Sequence, residues 1–87
     1  MGMDDNAFYK GILKSISHNK DSSSLEIEVD DGEIESEIFG DLLNKDMIGH
    51  KITFQSMNGV SRGRGWGYQK IVDHDNNDKE YVAKFGS

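Results

Sequence analysis

Apolar and polar residues take turns along much of this chain. Leu25-Glu26-Ile27-Glu28-Val29 alternates without a break, the period of a strand with one buried and one wet face. Phe8–Ser17 alternates less regularly, with Phe8, Ile12, Leu13 and Ile16 as its apolar members. It reads as a first strand, bent or bulged at Gly11. Asn19–Ser23 is a loop by composition. After Leu25–Val29, Asp31-Gly32 is a two-residue hairpin signal, and Glu33–Phe39 returns as the third strand. Leu42, Leu43 and Met47 then fall at helical spacing, so Gly40–Ile48 is expected to form a short helix ended by Gly49. His50–Met57 is the fourth strand, with Ile52 and Phe54 on one side. Asn58-Gly59 is a second hairpin signal, and Val60–Val72 a long fifth strand. Asp73–Asp78 is a polar turn before a short strand, Glu80–Phe85.

This order predicts an all-β domain with a minor helical part, a small five- to six-stranded barrel. A helix between strands three and four resembles the order of an OB-fold. The alternative is an SH3-like or Sm-like barrel, since Tyr9-Lys10-Gly11-Ile12-Leu13 is similar to the opening of Sm-type strands. The chain is expected to be one domain over residues 8–87, behind a disordered end at 1–7.

Each turn signal fixes a register. With Asp31-Gly32 as the loop, Leu25, Ile27, Val29, Ile34, Ser36 and Ile38 share a core face. Glu26, Glu28, Asp30, Glu33, Glu35 and Glu37 share the other, where like charges oppose one another three times. With Asn58-Gly59 as the loop, Phe54 faces Gly63, Ile52 faces Gly65 and Lys51 faces Trp66. The glycines would make room for the two core residues. The outer face then carries Lys51, Thr53, Gln55, Arg62, Arg64, Trp66, Tyr68 and Lys70, with no acid. A bulge at Gly65 or Gly67 would reverse the parity and send Trp66 and Tyr68 into the core.

Charge sharpens this division. The net charge of the 87 residues is −6. Between Asp21 and Asp46 stand ten acids and one base, Lys45; between Met47 and Val72 stand four bases and no acid. A uniform acidic coat would not leave such a stretch bare. The overall charge opposes nonspecific nucleic-acid binding, while the second half favours it.

Other chemistry is sparse. The chain has no cysteine and no proline, so no disulfide or thiolate site braces it. His18, His50 and His74 lack metal-ligand spacing. The Asp73-x-Asp75-x-Asn77 run starts like a calcium loop, but Asp78 and Lys84 stand where a glycine and a closing acid are required. The glutamate face has carboxylates for a divalent ion, yet flat strands rarely wrap one. No nucleophile elbow or acid–base pair stands out. No catalytic residue, metal or cofactor is therefore expected. No apolar run reaches the roughly 20 residues of a membrane span, and residues 1–6 do not read as a signal peptide. A cytoplasmic location is expected.

These features imply a non-enzymatic binding module. In one reading, Lys51, Arg62, Arg64 and Lys70 contact phosphate while Trp66 and Tyr68 stack on bases of single-stranded DNA or RNA. In the other, the acidic hairpin with Glu26, Glu28, Glu33, Glu35 and Glu37 docks on a basic protein surface. It would then act as an interaction module or small inhibitor of the kind phages and mobile elements encode. The Arg face could also neutralise the Glu face of the same domain, or the glutamates could be a solvated face alone.

Overall fold

The computed structural model describes residues 4–18, 20, 23–39 and 42–86. Residues 1–3 of the expected disordered end, Gly40 and Asp41 of the expected helix, and most of the 19–22 loop lie outside them. The described chain is all-β: β1 (Asp4–His18), β2 (Ser23–Val29), β3 (Gly32–Ile38), β4 (Lys51–Ser61), β5 (Arg64–Asp73) and β6 (Lys79–Phe85). They form one antiparallel sheet in the order β3-β2-β1-β4-β5-β6. The expected closure into a barrel is not made by strand pairing, because β3 and β6 both remain edges.

β1 organises the sheet. It begins at Asp4, so residues 4–7, expected to be a loose end, pair with Ser56–Gly59. Its first part pairs with β4 and its last part with β2, and Ile12 is the pivot, opposite Lys51 on one side and Glu28 on the other. Fifteen extended residues would span about 50 Å, yet the molecule's longest dimension is 39 Å. The strand therefore has to coil. The register to β2 slips between Leu13 and Ser15, a bulge at Lys14 rather than at Gly11. Gly11 serves a different need: a Cβ there would lie 2.1 Å from the Glu28 carbonyl oxygen.

The β2–β3 hairpin turns at Asp30-Asp31, and Val29 pairs with Gly32. That register differs by two residues from the one Asp31-Gly32 implied, so the faces are as expected and the partners are not. Ile27 meets Ile34, while Glu26 opposes Glu35 and Glu28 opposes Glu33, two like-charge pairs instead of three. The expected helix is reduced to a 3₁₀ turn, Lys45–Met47, capped by Asn44, whose side chain accepts from the Asp46 N–H. So short a segment gains little from helix hydrogen bonds. Its apolar residues instead serve packing, with Leu42 and Met47 buried in the core.

The larger correction concerns β4 and β5. Asn58-Gly59 does not turn; it stays in β4, and the loop is Arg62-Gly63. Both loop residues have positive φ, 53° and 76°, as a tight hairpin turn requires. Phe54 therefore meets Ile71 rather than Gly63, and Ile52 meets Asp73 rather than Gly65. The longer hairpin sets Phe54 against another apolar residue, Ile71, where the shorter one would have set it against a glycine. Leu13, Leu25, Ile27, Ile38, Leu42, Met47, Ile52, Phe54 and Ile71 make the core on the concave side, and the Tyr9 ring stacks beside Phe54 at 6.4 Å.

Candidate functional site

Register now decides which side chains share a face. The β4–β5 pairing runs without a slip from Ser61–Arg64 to Ile52–Asp73. No bulge reverses the parity, and Arg64, Trp66, Tyr68 and Lys70 project together from the convex side of β5. Arg62 and Arg64 are exposed, while Trp66, Tyr68 and Lys70 are half-buried. Gly67 and Gln69, between them, point to the concave side and are buried. Gly63 and Gly65, expected to make room for Phe54 and Ile52, have open space where a Cβ would stand; Gly67 is the crowded glycine, and the ring against it is Phe85 of β6.

Neighbouring strands extend the face. One row across the sheet reads Phe8, Gln55, Lys70, Val82; the next reads Asn6, Met57, Tyr68, Lys84. Phe8 is 64% exposed and Val82 46%. Lys10, opposite Thr53, adds a cation at the β1 side. The outcome is an aromatic and apolar stripe bordered by Lys10, Arg64, Lys70 and Lys84. Of the side chains described within it, Glu80 is the one carboxylate, and it pairs with Lys70. The Lys70 ammonium is held above its ordinary pKa first by its hydrogen bond to Glu80, so its charge is partly spent inside the protein.

Phe8, Lys10 and Lys84 are absent from the sequence-based set, as are Asn6, Met57 and Val82. Phe8 is read from sequence as one of the apolar members of the first strand; the structure turns it outward, and Tyr9 takes the inward position beside Phe54. The strict Asn6, Phe8, Lys10 parity was the available signal. Lys51 keeps the same side of β4 as Thr53 and Gln55 but is not beside Trp66. It lies opposite Ile12 at the far end of β4, eight positions from Gly59, the partner of Trp66. That distance is about 27 Å along a strand.

The β2–β3 half of the convex side is acidic. Glu28 forms an ion pair with Lys14 at 3.0 Å, and Glu26, Glu33, Glu35 and Glu37 stand around it on the two strands. A hydrogen bond to Glu33 and the nearby negative charges hold the Glu26 carboxyl above its ordinary pKa. Among the described residues Arg62 and Arg64 form no ion pair, so the arginine face does not neutralise this hairpin.

His50 and Asp73 close the other end. Asp73 is 1% exposed, and the His50 Nδ1–H donates to its two oxygens at 2.9 and 3.1 Å. The Asp75 N–H donates to the same carboxylate at 3.1 Å. The hydrogen bond to Asp73 raises the His50 pKa above 6.5. Asp75 in turn accepts from the Lys51 N–H, and His74 bridges Thr53 and Asp78. The run that starts like a calcium loop is therefore a hydrogen-bonded turn. Among the described residues no three His, Asp or Glu side chains are grouped to hold a metal ion, and no helix is long and apolar enough to cross a membrane. Comparisons with protein-family models, curated proteins and solved structures give no match to this chain.

Proposed function

We propose that this chain is a non-enzymatic module that binds single-stranded DNA or RNA on the convex face of β1, β4, β5 and β6. The observation that carries the reading is the unbroken parity of Arg64, Trp66, Tyr68 and Lys70, extended by Phe8, Lys10 and Lys84. Rings stack on any base, at about 1–3 kcal/mol each, and cations along the rim track the phosphates. The fold part of the proposal is a partly open OB-like barrel. In support, Gln69 on β5 bonds the backbone at the end of β3 across the open side. Strands two and three are the usual oligonucleotide face of such barrels. Here that face carries five glutamates, which would repel phosphate and so favour β4 and β5 instead.

The test is a titration of labelled single strands across a salt series, comparing the native chain with Arg62→Ala/Arg64→Ala and with Tyr68→Ala. Trp66, the chain's one tryptophan, reports contact by fluorescence quenching. Tight binding at low salt that the double variant loses supports the reading. A native chain that ignores single strands at low salt sinks it.

A second reading rests on the crowded carboxylates. A hairpin that keeps Glu26 against Glu33 and Glu35 at a cost in stability suits docking on a basic protein surface. Replacing Glu26, Glu33 and Glu35 by Gln separates the two readings: it abolishes protein docking but strengthens binding of nucleic acid.

A further inference from the structure

A cleft of about 290 Å³ opens on the concave side, between the end of β3 and the outer rows of the sheet. Ala7, Phe39, Ser56, Asn58, Gln69 and Phe85 line it. The volume sits at the lower limit of small-molecule sites, about 300 Å³, so a fragment the size of one heterocycle fits. Phe39 and Phe85 meet edge to face, 4.8 Å apart at 87°. Their corner offers a ring face for stacking. The Gln69 amide is fully engaged: it accepts from the Phe39 N–H and donates to the Glu37 carbonyl and to the Ser56 hydroxyl oxygen. Ser56 accepts that bond and keeps its own proton free to donate. The Asn58 amide, exposed and without a side-chain hydrogen bond among the described residues, presents a donor and an acceptor side by side. Glu37 is the one charged residue lining the cleft, and no lysine, arginine or histidine is beside it, so the cleft suits a neutral planar group and not a phosphate.

The cleft is close to the proposed platform. Phe85 pairs with Gly67, between Trp66 and Tyr68 in the chain, and points to the opposite side of the sheet. β6 is the sheet edge, so a strand crossing Tyr68 and Lys84 reaches the cleft by turning around that edge.

We propose that this cleft takes one base of the bound strand, stacked on Phe85 and read by Asn58 and Ser56, and that it favours adenine. An asparagine amide matches the adjacent donor and acceptor of adenine in a two-point contact. The platform then supplies affinity without regard to sequence, and the cleft supplies base preference. This inference rests on the single-strand reading above.

The test measures anisotropy of short oligodeoxyadenosine, oligodeoxycytidine and oligothymidine with the native chain, Asn58→Ala and Ser56→Ala. Far-UV circular dichroism checks the fold of each. The expected result is an adenine preference of about tenfold in the native chain, which Asn58→Ala erases while its thymidine affinity is unchanged. Equal affinity for all three strands overturns the cleft and leaves the platform standing. No binding of any strand fails the platform and the cleft with it. Titration with adenosine monophosphate, followed by amide chemical shifts, gives a second check. Changes at Phe39, Ser56, Asn58 and Phe85 support the site, and changes confined to the convex face overturn it.

Discussion

The side-chain amide of Gln69 pairs with the backbone at Phe39 much as a neighbouring strand would. Its Oε1 accepts from the Phe39 N–H and its Nε2 donates to the Glu37 carbonyl, both at 3.0 Å. A residue of β5 thereby holds the end of β3, which among the described residues no strand borders on that side. Gln69 is 3% exposed, so these bonds form away from competing water. Gln69→Leu keeps the volume but leaves two backbone groups unsatisfied, at about 1–3 kcal/mol each. Urea unfolding should show a loss of about 2–6 kcal/mol, and hydrogen exchange should show Phe39 losing protection before the β4–β5 amides do. Unchanged protection at Phe39 would deny the bridge its role.

The His50–Asp73 contact makes stability depend on pH in one direction. Asp73 raises the His50 pKa above 6.5, so the folded state binds the proton more tightly than the unfolded chain. That stabilisation is complete below the unfolded value and is lost as pH rises through the folded one. The melting temperature should therefore fall as pH rises from about 6.5 through the shifted value, and His50→Gln should flatten that decline. A wild-type melting temperature that rises over this window would contradict the pairing.

Glu26 has the same sign from the opposite cause. Its carboxyl is held above the ordinary range by Glu33 and by the charges of the neighbouring glutamates, so the folded state favours the protonated form. The cost appears as pH rises through the shifted value. Glu26→Gln should raise the melting temperature at neutral pH and have little effect in acid, whereas Glu28→Gln, which gives up the bond to Lys14, should not share the gain. Thermal scans of the two variants at both pH values decide it.

How far the chain could be read without coordinates differs between its two hairpins. Both turn signals named a loop that does not form, yet each error was an even number of residues. A shift of two moved the partners of Leu25–Val29, and the observed turn at Arg62-Gly63 moved those of Ile52 and Phe54 by eight. Even shifts leave every side chain on its face, so the acidic face and the Arg64, Trp66, Tyr68, Lys70 face were legible from alternation alone. Partners were not, because turn propensity is local while the choice of loop depends on what the whole strand can pair. Placing Phe54 against Ile71 outweighs an Asn-Gly turn. The contribution of Phe8 and Lys84 was hidden for a related reason: it comes from the strand order, which pairs β1 with β4 and β5 with β6.

Two glycines separate backbone crowding from side-chain crowding. A Cβ at Gly11 would lie 2.1 Å from the Glu28 carbonyl oxygen, and one at Gly67 equally close to the tip of the Phe85 ring. The carbonyl is fixed in the β2 hairpin, whereas Phe85 is half-exposed on an edge strand and can swing out. Gly11→Ala should cost at least the about 1–3 kcal/mol of an overpacked site and weaken β1–β2 pairing. Gly67→Ala should cost less and act mainly by displacing Phe85 from Phe39. Denaturant midpoints and the ring resonances of Phe85 report the two outcomes, and a milder effect at Gly11 than at Gly67 would refute the argument.

Lys51 and Lys84 test the register where it matters for binding. A loop at Asn58-Gly59 would have put Lys51 beside Trp66; the observed pairing puts Lys84 beside Tyr68 and leaves Lys51 opposite Ile12. If single strands cross the convex face, Lys84→Glu should weaken their binding about tenfold or more at low salt and reduce the salt slope by about 1. Lys51→Glu, carrying the same change of charge, should shift affinity by less than about threefold, since at this distance it acts only through a screened field. Equal losses from the two substitutions would mean that the protein responds to net charge and not to a strand laid across β4, β5 and β6.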